Sequence, residues 1–320
     1  MKNGNGHYEI AVIGAGPAGA TAAVYAARGG ASVVLLGGAS PGGQLLLTTE
    51  IENFPGFPEP VAGADLMQNM HRQAARLGAA VLGEEVASVD LSRRPFVLST
   101  AGGRSFTASC VIAATGAKAR WLGIPSEARY TGKGVSGCAT CDGFFYRGKE
   151  VCVIGGGDSA AEEALFLTKF ASRVYLIHRR EKLRANFRLQ KKLEDNAKVE
   201  ILYEHVLDEV LGGDAGGAQG ERAAAVSVRN VRTGEVRKLN TPGIFIAVGH
   251  EPATAIFKGK LPLDDSGYIV ADGRARTSVP GVFAAGDVTD RYYKQAVVAA
   301  GAGCKAAMEA LEYLEEAEKA

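Results

Sequence analysis

The feature that most constrains this chain is a pattern that occurs twice. Tyr8-Glu9-Ile10-Ala11-Val12-Ile13 runs into Gly14-Ala15-Gly16-Pro17-Ala18-Gly19, and Val151-Cys152-Val153-Ile154 runs into Gly155-Gly156-Gly157-Asp158-Ser159-Ala160. Each is a short apolar run, a G-x-G-x-x-G/A turn and an alanine-rich helical stretch, Ala20 to Arg28 and Ala161 to Phe170. That order reads as strand, glycine turn and helix. A β-rich run follows each, Ser32 to Leu36 and Arg173 to Ile177, so each unit closes as βαβ and implies a parallel, doubly wound sheet. The first glycine allows the bend, the second lets backbone approach a pyrophosphate, and the third position must be small for helix to pack on strand. The phosphate then sits on unpaired N–H groups at the positive helix end.

The residues after each unit separate the two ligands. A NAD site expects an acidic residue about 20 positions past the first glycine, to hold the ribose hydroxyls. Between Ile10 and Thr49 this chain has none, so the first unit is not an ordinary NAD site. The second ends in His178-Arg179-Arg180, with Arg184 one helical turn on, where a 2′-phosphate needs guanidinium forks. That points to NADP(H), the other reading being a solvated basic face on the helix that continues to Lys192.

Glu84 to Thr115 alternates apolar and polar residues around Gly102-Gly103, as an antiparallel meander laid beside the first sheet would. Ala197 to Ala247 repeats the habit, with a glycine-rich tip from Gly212 to Gly220 that reads as a surface loop. The expected fold is α/β: two Rossmann-like, three-layer domains of the FAD/NAD(P)-binding kind, the second inserted into the first, each with its meander. Residues 1–118 and 249–320 form the first and 119–248 the second. A length of 320 residues suits two domains at about 150 each.

Thirty-six basic against thirty-five acidic residues leave a net charge of +1. No field of one sign recommends nucleic acid or an anionic membrane as partner. The N-terminus carries no signal-peptide pattern and no apolar run reaches 18 residues, so the expected location is cytoplasmic.

Cys138-Ala139-Thr140-Cys141 is the chemical centre. The spacing suits a small-ring disulfide that opens and closes easily, one cysteine attacking while the other resolves. Zinc would need two further ligands, and Cys110, Cys152 and Cys304 stand singly with no second C-x-x-C, so no metal is expected. Asp142 follows at once, and a carboxyl there can act as general acid toward a leaving thiolate, the more so if burial raises its pKa. A turn role before Gly143 is the alternative.

With these motifs the chain resembles the low-molecular-weight, two-domain bacterial thioredoxin reductases over essentially its whole length. Gly42-Gly43-Gln44-Leu45, Glu52-Asn53-Phe54-Pro55-Gly56, Ala114-Thr115-Gly116 and Gly286-Asp287-Val288 add to the match. The resemblance implies FAD on the first unit, NADPH on the second, and a homodimer. FAD would lie along Gly14, Gly16, Pro17, Ala18, Gly19, Gly43, Gln44, Asn53, Ala114, Gly116, Gly286, Asp287, Lys294, Gln295 and Ala296. NADPH would lie along Gly155, Gly157, Asp158, Ser159, Ala160, His178, Arg179, Arg180, Arg184 and His250, the last equally readable as a core or hinge histidine. One departure stands out: Tyr293-Lys294-Gln295-Ala296 has lysine where the family has arginine, which keeps the charge and loses the planar fork.

The resemblance implies that electrons pass from NADPH through FAD to the Cys138–Cys141 disulfide, and that Cys138 then attacks thioredoxin or a thioredoxin-like protein while Cys141 faces the flavin. Chain order puts Cys141 on the same unit as the NADPH turn. That unit should therefore rotate between two poses, with hinges near Ala117 and Gly249. Other readings of the same residues are a different client or donor on the same fold (peroxiredoxin, ferredoxin, reduced flavin) or a flavin redox sensor that does not turn over.

Overall fold

The computed structural model describes residues 6–38, 41–47, 50–214 and 221–319. Part of the expected glycine-rich tip, 215–220, lies outside the described residues. Contacts divide the chain into two units, Met1–Lys118 with Glu251–Ala320, and Ala119–His250.

In the first unit β1 (His7–Ile13) passes through its glycine turn into α1 (Pro17–Arg28) and then β2 (Val33–Leu36). Gly16 is the extended N-cap and Pro17 the first helical residue, a position where a missing N–H costs nothing. There follow α2 (Gly63–Arg76), β3 (Ala80–Leu82), β4 (Val86–Asp90), β5 (Phe96–Thr100) and β6 (Ser105–Ala113). They make one sheet in the order β3-β2-β1-β6-β5-β4, parallel from β3 to β6 and antiparallel from β6 to β4. The meander thus differs from the layer beside the sheet that its alternation suggested. It is the edge of the same sheet, because β6 is long enough to be shared, pairing with β5 through Ser105–Ala108.

The chain leaves along β7 (Ala117–Ala119). The second unit runs through α3 (Pro125–Tyr130), β8 (Val135–Ser136), α4 (Ala139–Asp142), β9 (Glu150–Gly155), α5 (Asp158–Leu167), β10 (Arg173–His178), α6 (Phe187–Glu194) and β11 (Val199–Tyr203). After these come β12 (His205–Asp214), β13 (Glu221–Asn230), β14 (Val236–Leu239) and β15 (Gly243–Ala247). Strands β11-β10-β9-β15-β8 form a parallel sheet, while β12-β13-β14 form a separate antiparallel one. Alternate residues of the parallel strands face opposite layers. Val151, Val153, Val174 and Leu176 pack with Ala160, Ala164 and Leu167 of α5, and Cys152, Ile154, Tyr175 and Ile177 pack with Leu207, Val210, Val226 and Val228 of the meander. Here the meander is a true third layer.

β16 (His250–Pro252) pairs with β7 in a two-stranded ribbon and returns the chain to the first unit. β17 (Val282–Ala284) then pairs in parallel with Val111–Ala113 of β6, and α7 (Ala296–Lys319) packs on α1. The helices touch because their facing residues are small: a Cβ on Gly303 would fall 2.0 Å from the Ala18 carbonyl oxygen. No helix among the described residues is long and apolar enough to cross a membrane.

Candidate active site

Cys138 and Cys141 are joined as a disulfide across a Cα–Cα distance of 5.3 Å. Cys138 is the extended N-cap of α4, and its sulfur accepts the Cys141 backbone N–H at 3.2 Å. The Thr140 hydroxyl lies 3.3 Å from the same sulfur. Directly upstream, the buried Ser136 hydroxyl accepts the Cys138 N–H at 3.0 Å and bonds to the Asp142 carboxyl. Burial pushes the Asp142 carboxyl above its ordinary range, and the Ser136 bond offsets this in part. A carboxyl inclined to hold its proton, one residue from Cys141, suits proton delivery to a leaving thiolate. Gly143 closes the segment against α5, where a Cβ would come within 2.9 Å of Leu167 Cδ2. Past it, Phe144 and Phe145 are exposed, with the Arg147 guanidinium 5.3 Å from the Phe144 ring centre.

The other cysteines have different surroundings. Cys110 and Cys152 are buried, and desolvation pushes both thiols up to about 12. They are core side chains and not nucleophiles. Cys304 is half-exposed on α7 beside Tyr25, whose hydroxyl bonds to it.

The first glycine turn separates its three glycines by what surrounds them. A Cβ on Gly14, whose φ is +106°, would lie 2.2 Å from the Ala114 carbonyl oxygen, and one on Gly19 only 1.7 Å from the Gly14 oxygen. A Cβ on Gly16 would meet nothing within 4 Å. The protein itself therefore demands Gly14 and Gly19, whereas Gly16 borders a space that a side chain would fill, as a pyrophosphate cradle requires. Gly43 faces it, since a Cβ on Gly43 would lie 3.7 Å from the Gly16 Cα, and Gln44 follows exposed in a short 3₁₀ turn, Gly43–Leu47. Ala18 carries the helix side of the turn, Ala114 is buried beside Gly14, and Gly116 takes a φ of +73°.

The remaining residues of this unit gather at the start of α7. The Asn53 amide donates to Gln295 Oε1 at 3.3 Å, and the Gln295 carbonyl caps Ala299 at 2.9 Å, with Ala296 opening the helix. Gly286 has a φ of +79° and abuts Ala18. Burial, with a contribution from neighbouring Asp290, pushes the Asp287 carboxyl up to about 6. Lys294 adopts a φ of +46°, and its ammonium donates to the Arg291 carbonyl at 2.5 Å.

In the second turn a Cβ on Gly155 would lie 2.4 Å from the Ala247 oxygen and 2.6 Å from the Ala160 Cβ, while one on Gly157 would meet nothing within 4 Å. The same division holds: Gly155 and Ala160 serve packing and Gly157 leaves a space. Arg179, Arg180 and Arg184 are exposed and none forms an ion pair among the described residues. His178 is turned inward instead, buried under Gly156, with Nδ1 2.9 Å from the Gly155 oxygen and Nε2 2.9 Å from the Lys182 oxygen. Both ring nitrogens are thus turned to backbone carbonyls, one in the glycine turn and one within the arginine segment. Ser159 is exposed in the first turn of α5, and His250 lies in β16 at the unit's edge.

Sequence reasoning missed Ser136, His71, Asn186 and Asp290. His71 Nε2 lies 2.7 Å from the Ala15 oxygen in the first turn. Asn186 caps α6 and gives both its N–H and its amide to Asp158 Oδ1, at 2.7 and 3.2 Å. Asp290 accepts the backbone N–H groups of Tyr292, Tyr293 and Lys294. Only the position of Ser136, two residues before the cysteine pair, carried a local signal.

Two dinucleotide-type turns and a disulfide set on a helix start define an oxidoreductase that exchanges electrons between a nucleotide cofactor and a disulfide. The chain belongs to the pyridine nucleotide-disulphide oxidoreductase family, which matches residues 8–303. It is 48% identical over 307 residues to a thioredoxin reductase of Rickettsia conorii, covering 96% of this chain and 98% of that one. It is 48% identical over 325 residues to a thioredoxin reductase of Coxiella burnetii, covering 98% of each. Among solved structures, thioredoxin reductase from Giardia duodenalis superposes with a TM-score of 0.90 at 43% identity, over 97% of this chain and 99% of that one.

Proposed function

We propose that the protein catalyses reduction of a thioredoxin or thioredoxin-like disulfide by NADPH: NADPH, one proton and the client disulfide give NADP⁺ and the client dithiol. The observation that carries this reading is the Cys138–Cys141 disulfide, built into the unit that also holds the turn followed by Arg179, Arg180 and Arg184. When bound, NADPH supplies the hydride and FAD relays the electron pair to sulfur. The fit for both groups is the open space at Gly16 and Gly157, each at the start of a helix of ten or more residues.

The chain's own residues do the rest. Gly16, Gly43 and the first turn of α1 receive the FAD pyrophosphate, and Asn53, Asp287, Lys294, Gln295 and Ala296 line the cofactor's other parts. Gly157, Asp158 and Ser159 receive that of NADPH, with Arg179, Arg180 and Arg184 on its 2′-phosphate. Once the disulfide has opened, the Cys138 thiolate attacks the client disulfide and releases one client thiolate, and Cys141 then attacks the Cys138 sulfur of the mixed disulfide, re-forming the Cys138–Cys141 disulfide and displacing the second client thiolate. Asp142 protonates the leaving thiolate. Phe144 and Phe145 offer apolar surface for docking beside the dithiol.

Because one unit carries both the NADPH turn and the dithiol, each must reach FAD in turn, and the inserted unit rotates about the passages at 117–119 and 250–252. A tether across the two units should slow turnover. The protein works as a homodimer, for which Tyr25, Val297 and Met308, exposed along α1 and one stripe of α7, supply apolar surface; sedimentation tests it. Buried unpaired thiols at Cys110 and Cys152 suit a reducing cytoplasm.

The decisive assay combines purified, FAD-loaded protein with NADPH and a thioredoxin panel. Steady NADPH consumption that requires thioredoxin is expected, and C138S should abolish it. Turnover by C138S at the wild-type rate would overturn the proposal.

A further inference from the structure

The two contacts of His178 cannot both be satisfied by a neutral ring. The Gly155 and Lys182 carbonyl oxygens, each 2.9 Å from a ring nitrogen, only accept hydrogen bonds, and a neutral imidazole has one N–H to give. In the neutral form one nitrogen lone pair faces a carbonyl lone pair. The imidazolium satisfies both. The ring packs closely under Gly156, where a Cβ would fall 2.1 Å from Nδ1. The Gly156 carbonyl meanwhile accepts the N–H groups of Arg184 at 2.6 Å and Ala185 at 3.1 Å. The ring is thus a pin between the glycine turn and the arginine segment.

We propose that His178 is a proton-linked positioning residue for the 2′-phosphate: it takes up a proton as that phosphate settles on Arg179, Arg180 and Arg184, and the imidazolium then holds their segment to the turn through both nitrogens. This rests on the assignment of the arginines to NADPH and deepens it. Without ligand, burial first and then the charges of Arg184 and Arg180 oppose protonation, against the pull of the two carbonyls. The other neighbours do not reverse this. β9 brings only the Gly155 backbone. Tyr203, opposite His178 on β11, is a phenol whose pKa burial raises, so it stays neutral. Asp158 on α5 is engaged by Asn186. A phosphate with a charge near −2 cancels the two guanidiniums that oppose the proton. NADH brings no such charge, so the uptake adds to the preference for NADPH.

The test titrates 2′,5′-ADP, with 5′-ADP as the comparison, into the FAD-loaded protein by calorimetry in buffers of different ionisation enthalpy. Above about pH 7 the free phosphate is already dianionic, so proton uptake belongs to the protein. Wild type should take up part of a proton with 2′,5′-ADP and none with 5′-ADP. The complex holds the raised pKa, so affinity is full at lower pH and falls as pH rises through it, by at most about tenfold per pH unit. H178Q and H178N should bind 2′,5′-ADP more weakly, with no uptake and a flat profile. The wild-type measurement needs no substitution. A preference for 2′,5′-ADP without uptake, or equal uptake in H178Q, overturns the proton link alone. No preference for 2′,5′-ADP over 5′-ADP overturns the arginine assignment as well.

Discussion

The sulfur of Cys138 is bound to Cys141 twice, covalently through the disulfide and by accepting the Cys141 backbone N–H at 3.2 Å. That N–H, and the Thr140 hydroxyl 3.3 Å from the sulfur, are placed to donate to the Cys138 thiolate once the disulfide opens. A hydrogen-bonded thiolate is the favoured form. Cys138 in the C141S variant should therefore react with an alkylating agent faster than Cys141 does in C138S. Iodoacetamide alkylation rates of the two variants at one pH compare them, and the reverse order would contradict the assignment of Cys138 as the attacking thiol.

As the proposed proton donor Asp142 must act in its protonated form, which burial favours by raising its pKa. The dithiol step should therefore slow as pH rises through that raised value, and D142N should lower its rate by about 100-fold or more. S136A removes the bond that favours the carboxylate and should move the same limb to higher pH. Rapid-reaction measurement of the thiol–disulfide step would show both.

R179A and R180A should each raise the KM for NADPH by about tenfold or more, as loss of a charge-assisted bond to phosphate implies. NADH should be nearly unaffected. Steady-state kinetics with both nucleotides checks this, and a parallel rise for NADH would place the arginines away from the 2′-phosphate.

The glycines should divide by their surroundings. Gly157 is extended and open, so G157V should leave the Tm of nucleotide-free protein within a degree or two, on the order of 0.5 kcal/mol, while nucleotide affinity collapses. G155A places a Cβ against the Ala247 backbone and should cost about 1–3 kcal/mol or more before any ligand is added. Thermal melts and binding titrations of the two variants separate the cases.

Asp287 provides a stability test. Its pKa rises from 3.8 unfolded to about 6 folded, so the protonated form stabilises the fold. That stability is fully present below pH 3.8 and is lost as pH rises through about 6, to a total of about 3 kcal/mol. In FAD-free protein, D287N should be more stable than wild type at pH 7, and the difference should vanish near pH 4. Denaturant melts at both values would show it.

The strand-turn-helix units, the cysteine pair and the arginine segment were all legible in the residue order, because each depends on chemistry contained within a few consecutive positions. A turn needs its glycines at fixed spacing, a small-ring disulfide needs two intervening residues, and basic side chains need only adjacency. What depends on distant chain was not legible. Ser136 beside Asp142, Asn186 on Asp158, His71 on Ala15 and the inward turn of His178 arise where separate segments pack, and burial decides which polar group meets which. The same cause makes one meander a sheet edge and the other a separate layer, since the shared length of β6 and the bare face of β9 and β10 exist only once the strands have assembled.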